Sequence, residues 1–293
     1  MNSNHTTLSG IYYGILATVL WGSYPLWYKP LKEVGAVALL EWRIVWSIGF
    51  LLVLIIFLKR KSFLDSIGNI LWKNIATMSF ILALWWLTYI YGILTDRILE
   101  IALGYFISPI MSLFVSQFIF KEKINTLQKI SVLLATISVL IMVFYSLEDN
   151  YFPWIALTIG FCFSFYGVFK KKVTGDPIII QTFEMLLLLP FAIIGMLYFT
   201  DMPTMDWGNY NQTLLLIATG VISVLPLWWY SIAASNLTVF TLSFLQFIPP
   251  TINFLLAIFV YNEELPFIKI VVFSLIWIAI AVLLMNTIKQ NRS

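Results

Sequence analysis

Ten apolar runs follow one another along this 293-residue chain, at 10–28, 36–58, 75–94, 101–120, 128–146, 153–170, 178–199, 213–234, 238–260 and 267–287. Each is close to the roughly 20 residues that a helix needs to cross a hydrocarbon core of about 30 Å. No water reaches the backbone there, so a run of this kind closes its hydrogen bonds within itself, as a helix. The links are short, and the longest polar stretches lie at 59–74 and 200–212. The expected fold is therefore an all-α membrane protein of ten transmembrane helices with no aqueous domain. Charged residues make up 11% of the chain, against about 25% in a soluble domain, and no basic face exists that would hold a nucleic acid. Cys162 and His5 are the only residues of their kinds, which excludes an internal disulfide and a His/Cys metal cluster. No basic segment precedes the first run and no small-residue cleavage site follows it, so the first span is expected to act as its own uncleaved insertion signal.

Lysines and arginines set the orientation. With both termini in the cytoplasm, eleven face inward: Lys59, Arg60, Lys61, Lys73, Lys121, Lys123, Lys170, Lys171, Lys172, Lys289 and Arg292. Three face outward: Lys29, Lys32 and Arg97. The acids lean the other way, with Asp96, Glu148, Asp149, Asp201, Asp206, Glu263 and Glu264 outside.

The chain also repeats itself. Leu84-Trp85-Trp86 matches Leu227-Trp228-Trp229 and Glu41 matches Glu184 at an offset of 143; Tyr24 matches Tyr166 at 142; Pro109 matches Pro249, and Lys129-Ile130 matches Lys269-Ile270, at 140. Residues 1–150 and 151–293 thus read as two copies of one five-helix unit. An odd number of spans makes the second copy enter the bilayer from the opposite side, so the repeats are expected to be inverted. The repeated prolines sit inside apolar runs and point to broken helices around a solute site, where neighbouring groups take up the freed carbonyl.

Charges inside spans are costly, at about 2.5–3.5 kcal/mol near mid-helix on insertion scales. Arg43 and Glu41 lie two residues apart, about 200° around a helix, so neither is the other's partner. Arg43 reads as a charge for an anionic substrate group, with Trp46 within cation–π reach, or else as an arginine snorkelling to the outer interface. Glu184, with Gln181 one turn before it, mirrors Glu41; the pair is expected to guard opposite mouths of a pathway or to carry coupling protons. Trp85, Tyr105, Trp228, Phe247, Gln246 and Asn253 surround the proline stretches. They read as an aromatic, hydrogen-bonding cavity, or as helix packing with a polar clasp. Glu100 reads as an acid at a helix N-terminus. No nucleotide-binding, metallohydrolase or serine-hydrolase motif is present, and no cofactor or metal is expected.

Several stretches resemble the RarD branch of the EamA-type drug/metabolite transporters. They are Arg43-Ile-Val-Trp-Ser47, Leu99-Glu100 through Gly104-Tyr-Phe-Ile-Ser-Pro109, Tyr166-Gly167 with the lysines at 170–172, Phe183-Glu184 through Pro190, and Phe244-Leu-Gln-Phe-Ile-Pro-Pro-Thr251 followed by Tyr261-Asn-Glu263. The resemblance spans the chain. It implies a multi-pass inner-membrane permease that works by alternating access without ATP. At Trp42 the branch often has histidine, so no proton role for that histidine carries over. The expected function is secondary transport of a small metabolite or drug, amino-acid-like and aromatic solutes included; the proton is one candidate for the coupling ion, which is not legible in the sequence. Arg43 and Gln246 would hold polar groups, Trp85, Tyr105 and Trp228 would stack on the apolar part, and the spans would rock about Pro109 and Pro249. A channel, scramblase or receptor-like bundle is the alternative, and a membrane-embedded enzyme would need an acid or histidine cluster that the sequence lacks. Oligomeric state is not legible.

Overall fold

The computed structural model describes residues 3–66, 68, 72–120, 125–148, 152–170, 173, 175–198, 209–237 and 245–292. Every apolar run carries a helix. In chain order they are α1 (Ser3–Gly22), α2 (Tyr24–Tyr28), α3 (Ala36–Leu54), α4 (Arg60–Ser66), α5 (Trp72–Leu94), α6 (Ile98–Phe120), α7 (Thr126–Glu148), α8 (Trp154–Lys170), α9 (Pro177–Tyr198), α10 (Tyr210–Asn236), α11 (Ile248–Phe259) and α12 (Phe267–Arg292). A 3-10 turn, Lys29–Val34, joins α2 to α3, and a π turn, Ile55–Lys59, joins α3 to α4. There is no strand among the described residues. Among the described residues five stretches are long and apolar enough to cross a membrane: Ala36–Leu58, Trp72–Leu94, Thr126–Tyr145, Pro177–Tyr198 and Tyr210–Ala233. Shorter apolar stretches lie at Leu8–Gly22, Ile98–Ser108, Trp154–Gly167, Ile248–Phe259 and Phe267–Val282. Large side chains such as Phe57, Phe191 and Phe259 stand on the outer surface, where lipid rather than water would meet them.

Of the two prolines expected to break their spans, one sits beside a break and the other does not. The first run divides at Ser23, because Pro25 in the first turn of α2 has no amide hydrogen for the preceding turn. In the ninth run Leu245 is helical, Gln246 and Phe247 turn, and a helix begins at Ile248, so the expected break lies beside Pro249, which occupies a first turn, where proline is tolerated. Position 109, expected to break its span, lies within the unbroken α6. A proline there cannot bond the carbonyl of Tyr105, and the Ser108 hydroxyl donates to that oxygen instead at 2.7 Å. Pro190 in α9 and Pro226 in α10 are further interior prolines. The carbonyl freed by Pro226 is that of Ile222, and the Tyr24 hydroxyl donates to it at 2.7 Å.

The principal contacts are α6 with α8, α7 with α12, α1 with α10, α3 with α10, α3 with α9, α5 with α8, α6 with α11, α1 with α11 and α5 with α9. Exchange α1 for α8, α3 for α9, α5 for α10, α6 for α11 and α7 for α12, and this pattern maps onto itself. The helices carrying positions 109 and 249 are thus direct neighbours. Gly22, at the end of α1, lets that helix press on α11: a Cβ there would lie 2.8 Å from Ile252 Cβ and 3.1 Å from the Pro249 Cα. The break in the first span therefore meets the start of α11. The residues at 121–123, 149, 171, 172, 201, 206 and 240–244, named above for charge or repeat, lie outside the described part.

Candidate solute site

Arg43 is 2% exposed. It does not snorkel. Its guanidinium carbon sits 3.6 Å from the Trp86 ring centroid, 5.4 Å from that of Tyr24 and 5.6 Å from that of Tyr28. The cage is built by α2, α3 and α5. Trp46, the partner expected from helical spacing, packs against Gly220 of α10 and stacks on Trp42 with centroids 6.5 Å apart. Arg43 Nε and Nη1 have no hydrogen-bond partner, and among the described residues no carboxylate pairs with Arg43. The Tyr28 hydroxyl, which Ser223 approaches, and the Tyr89 hydroxyl also lack partners in bonding geometry. So does the carboxamide of Asn253, a fully buried residue of α11 that approaches the Tyr89 hydroxyl outside bonding geometry.

A string of rings leads away from this cage. Tyr24 lies 6.1 Å from Tyr89, and Tyr89 lies 5.8 Å from Tyr105. Trp85 donates its indole N–H to the Tyr105 hydroxyl at 3.0 Å and sits 6.0 Å from Tyr166, with Phe163 against both Trp85 and Tyr105. Tyr166 donates to Glu184 Oε2 at 3.2 Å. Glu184 is fully buried in α9, and Gln181, one turn earlier, has both amide atoms without partners. The string crosses from the first half of the chain to the second.

Arg43, Trp85, Tyr105 and Asn253 are thus brought into one neighbourhood, and Glu184 joins it through Tyr166. Gln246 is not part of it: its amide donates to the Tyr230 hydroxyl at 2.7 Å, and the Tyr230 ring lies 5.4 Å from Trp21. Trp228 and Phe247 are half-buried against the core, and neither ring is among those around Arg43. Glu41 is buried with its carboxylate against Gly195 of α9, where there is no room for a methyl group. Sequence reasoning did not assign Tyr24, Tyr28 or Trp86 to a cage around Arg43, nor Tyr89 to the string that leads from it. Their signal was spacing: Tyr24 and Tyr28 are four apart, Trp86 and Tyr89 three apart, so each pair shares a helix face.

One end of the bundle carries a charged clasp. Lys29 pairs with Asp96, donates to the Ile93 carbonyl at 2.9 Å, and lies 5.5 Å from the Tyr261 ring. Lys32 reaches Asp96 at 3.5 Å. The hydrogen bond from Lys29 holds the Asp96 carboxyl below its usual value. Glu263 accepts from the backbone amides of Ile98 at 2.5 Å and Leu99 at 2.9 Å, closing the N-terminus of α6 from the loop after α11. Burial pushes its carboxyl up, and those two amide bonds oppose the shift. Arg97 binds Glu100 at 2.9 Å, so Glu100 has an ion-pair partner beyond the helix end proposed for it.

A helical bundle with an apolar exterior and a buried, aromatic-caged charge defines a polytopic membrane protein. A profile of the EamA-like transporter family matches residues 8–144 and 153–285, each half separately. An uncharacterized transporter of Pseudomonas aeruginosa is 32% identical over 277 residues, covering 93% of this chain and 92% of its own. Protein RarD of Escherichia coli (strain K12) is 32% identical over 290 residues, covering 98% of this chain and 97% of its own. One solved crystal structure, 16% identical, superposes with a TM-score of 0.58 over 98% of this chain and 99% of that one. The chain belongs to the EamA-like transporter family, as a RarD-like member of the drug/metabolite transporter superfamily. It is a multi-pass protein of the inner membrane.

Proposed function

We propose that this protein is a secondary transporter that carries a small metabolite or drug across the inner membrane by alternating access. In this reading it crosses the bilayer ten times, as inverted five-helix repeats over 1–150 and 151–293, with both termini in the cytoplasm. The solute site lies around Arg43, Trp85, Tyr105 and Asn253, and Glu41 and Glu184 act at opposite mouths. Gln246, Phe247 and Trp228 join the site only in a state with α10 and α11 moved toward it. The observation that carries the reading is Arg43: a buried guanidinium with unpartnered N–H groups, at a junction that both halves share through Tyr24–Ile222 and Tyr89–Asn253. A structural arginine would be expected to have its donors satisfied. The self-mapping contact pattern supports the two-fold relation of the halves, and a motion that swaps the two mouths uses that relation.

The test is flux. Purified protein in liposomes, loaded with a mixture of amino acids and aromatic metabolites, should release some of them faster than empty liposomes do, at carrier rates and with saturation. Release that neither saturates nor exceeds the control sinks the proposal.

A further inference from the structure

An isolated charge in the interior of a membrane protein is tolerated when something supplies its counter-charge. Around Arg43 the protein supplies rings. Trp86, Tyr24 and Tyr28 offer their faces, and cation–π contact offsets part of the cost of burial. No carboxylate offsets the rest: among the described residues none pairs with Arg43, and two of its three guanidinium nitrogens donate to nothing. The neighbouring polar groups point to the same missing partner. The Tyr28 and Tyr89 hydroxyls and the Asn253 carboxamide are buried with no partner in bonding geometry, Ser223 approaching the first hydroxyl and Asn253 the second, and each can donate a hydrogen to an oxygen. The repeat adds a further constraint. At the 143-residue offset that relates Glu41 to Glu184, the counterpart of Arg43 is Leu186. One half of the protein carries a charge at this place and the other carries an alkyl group.

We infer that the solute is an organic oxyanion, bound with a single carboxylate or phosphate at Arg43 between Tyr28, Tyr89 and Asn253, and with a flat apolar body along the rings that continue through Tyr105 and Trp85. This rests on the reading that Arg43 lies in the solute site. The asymmetry of Arg43 and Leu186 fits a solute with one anionic end and not two. The ring string fits a planar body better than a branched aliphatic one, since faces and edges of aromatic rings meet flat partners.

The experiment uses the full chain in lipid nanodiscs and four probes of one shape: phenylacetate, phenyl phosphate, phenylacetamide and 2-phenylethylamine. Calorimetric titration of the unaltered protein should show binding of at least one oxyanion, while the neutral amide and the cation bind at least about tenfold more weakly. The stronger of phenylacetate and phenyl phosphate identifies the headgroup. In Arg43→Gln the oxyanion should bind about thirtyfold more weakly or worse, as expected when one partner of a buried charge pair is removed. Arg43→Lys should recover part of the affinity. Equal binding of amide and carboxylate, no binding by any of the four, or undiminished binding in a folded Arg43→Gln overturns the inference. The charge series needs no variant, so a misfolded Arg43→Gln leaves the test intact. Liposome flux separates this from the transport reading. Release of neutral or cationic solutes that phenylacetate does not inhibit leaves transport standing and removes the oxyanion. Oxyanion binding without release of any solute does the reverse.

Discussion

The hydroxyl of Tyr24 donates to the carbonyl oxygen of Ile222 at 2.7 Å, the carbonyl that Pro226, four residues further along α10, leaves without an amide donor. The ring of the same tyrosine lies 5.4 Å from the Arg43 guanidinium. One side chain thus repairs a helix in the second half and walls the buried charge in the first. Tyr24→Phe should lower stability by about 1 kcal/mol, the usual size for a hydrogen bond between membrane helices. In a Pro226→Ala background the amide at 226 can serve Ile222 itself, so the cost of Tyr24→Phe should shrink. A double-mutant cycle of unfolding in mixed micelles reads the difference, and equal costs in both backgrounds refute the assignment.

The ring that holds Arg43 is Trp86, at 3.6 Å, and not Trp46. A desolvated contact of this kind is worth about 2 kcal/mol. Trp86→Leu should therefore cost more stability than Trp46→Leu by roughly that amount, beyond the packing loss common to both. Thermal unfolding of the two variants side by side decides the matter.

Gly195 and Glu41 make a reciprocal pair. A methyl group at 195 would occupy the space of the Glu41 carboxylate, so Gly195→Ala should destabilise by about 1–3 kcal/mol, as overpacking does. Adding Glu41→Ala should remove most of that penalty. If the second change gives no relief, the two residues are not in contact.

Glu263 closes the first turn of α6 through the amides of Ile98 and Leu99. Glu263→Ala should cost about 1 kcal/mol, the size of a lost N-cap. Hydrogen exchange at those two amides should accelerate in the variant while exchange elsewhere in α6 changes less. Unchanged protection at both amides would show that another group closes this helix end.

Acid should loosen the clasp at Lys29. The native carboxyl of Asp96 is held below its ordinary 3.8 by the hydrogen bond from Lys29. An acid depressed in the folded state contributes stability that is complete above the unfolded value and is lost as pH falls through the native one. Melting temperature should therefore drop on acidification below 3.8, and Asp96→Asn should lack this part of the drop. Asp96 is half-exposed, so high salt should shrink the effect. Identical acid profiles for the two proteins would show that the clasp contributes nothing.

Apolar runs of twenty residues have one way to satisfy a backbone in lipid, and so a helix in each run was readable before any geometry was known, while α4, in the polar link 59–74, was not. Glu41 and Glu184, and Tyr24 and Tyr166, recur at nearly one offset in the sequence. Arg43 stood out by its cost. The breaks were harder to read. A proline announces a missing hydrogen bond, but whether a helix ends depends on who replaces the donor. Ser108 does so inside α6, and Tyr24, about two hundred residues away in the chain, does so for Pro226. Gln246 was drawn toward the site by its polarity, yet Tyr230 already satisfies it. Which ring meets Arg43 depended on how α2 and α5 lie against α3, and spacing along α3 alone could only nominate Trp46.

The closure of α6 by Glu263 has a consequence for how the protein is made. Residue 98 leaves the ribosome long before residue 263, so α6 is made with its first turn unfinished. That helix end is completed only when the penultimate loop arrives. The earlier half must therefore wait, partly frayed, for a carboxylate synthesised near the close of translation.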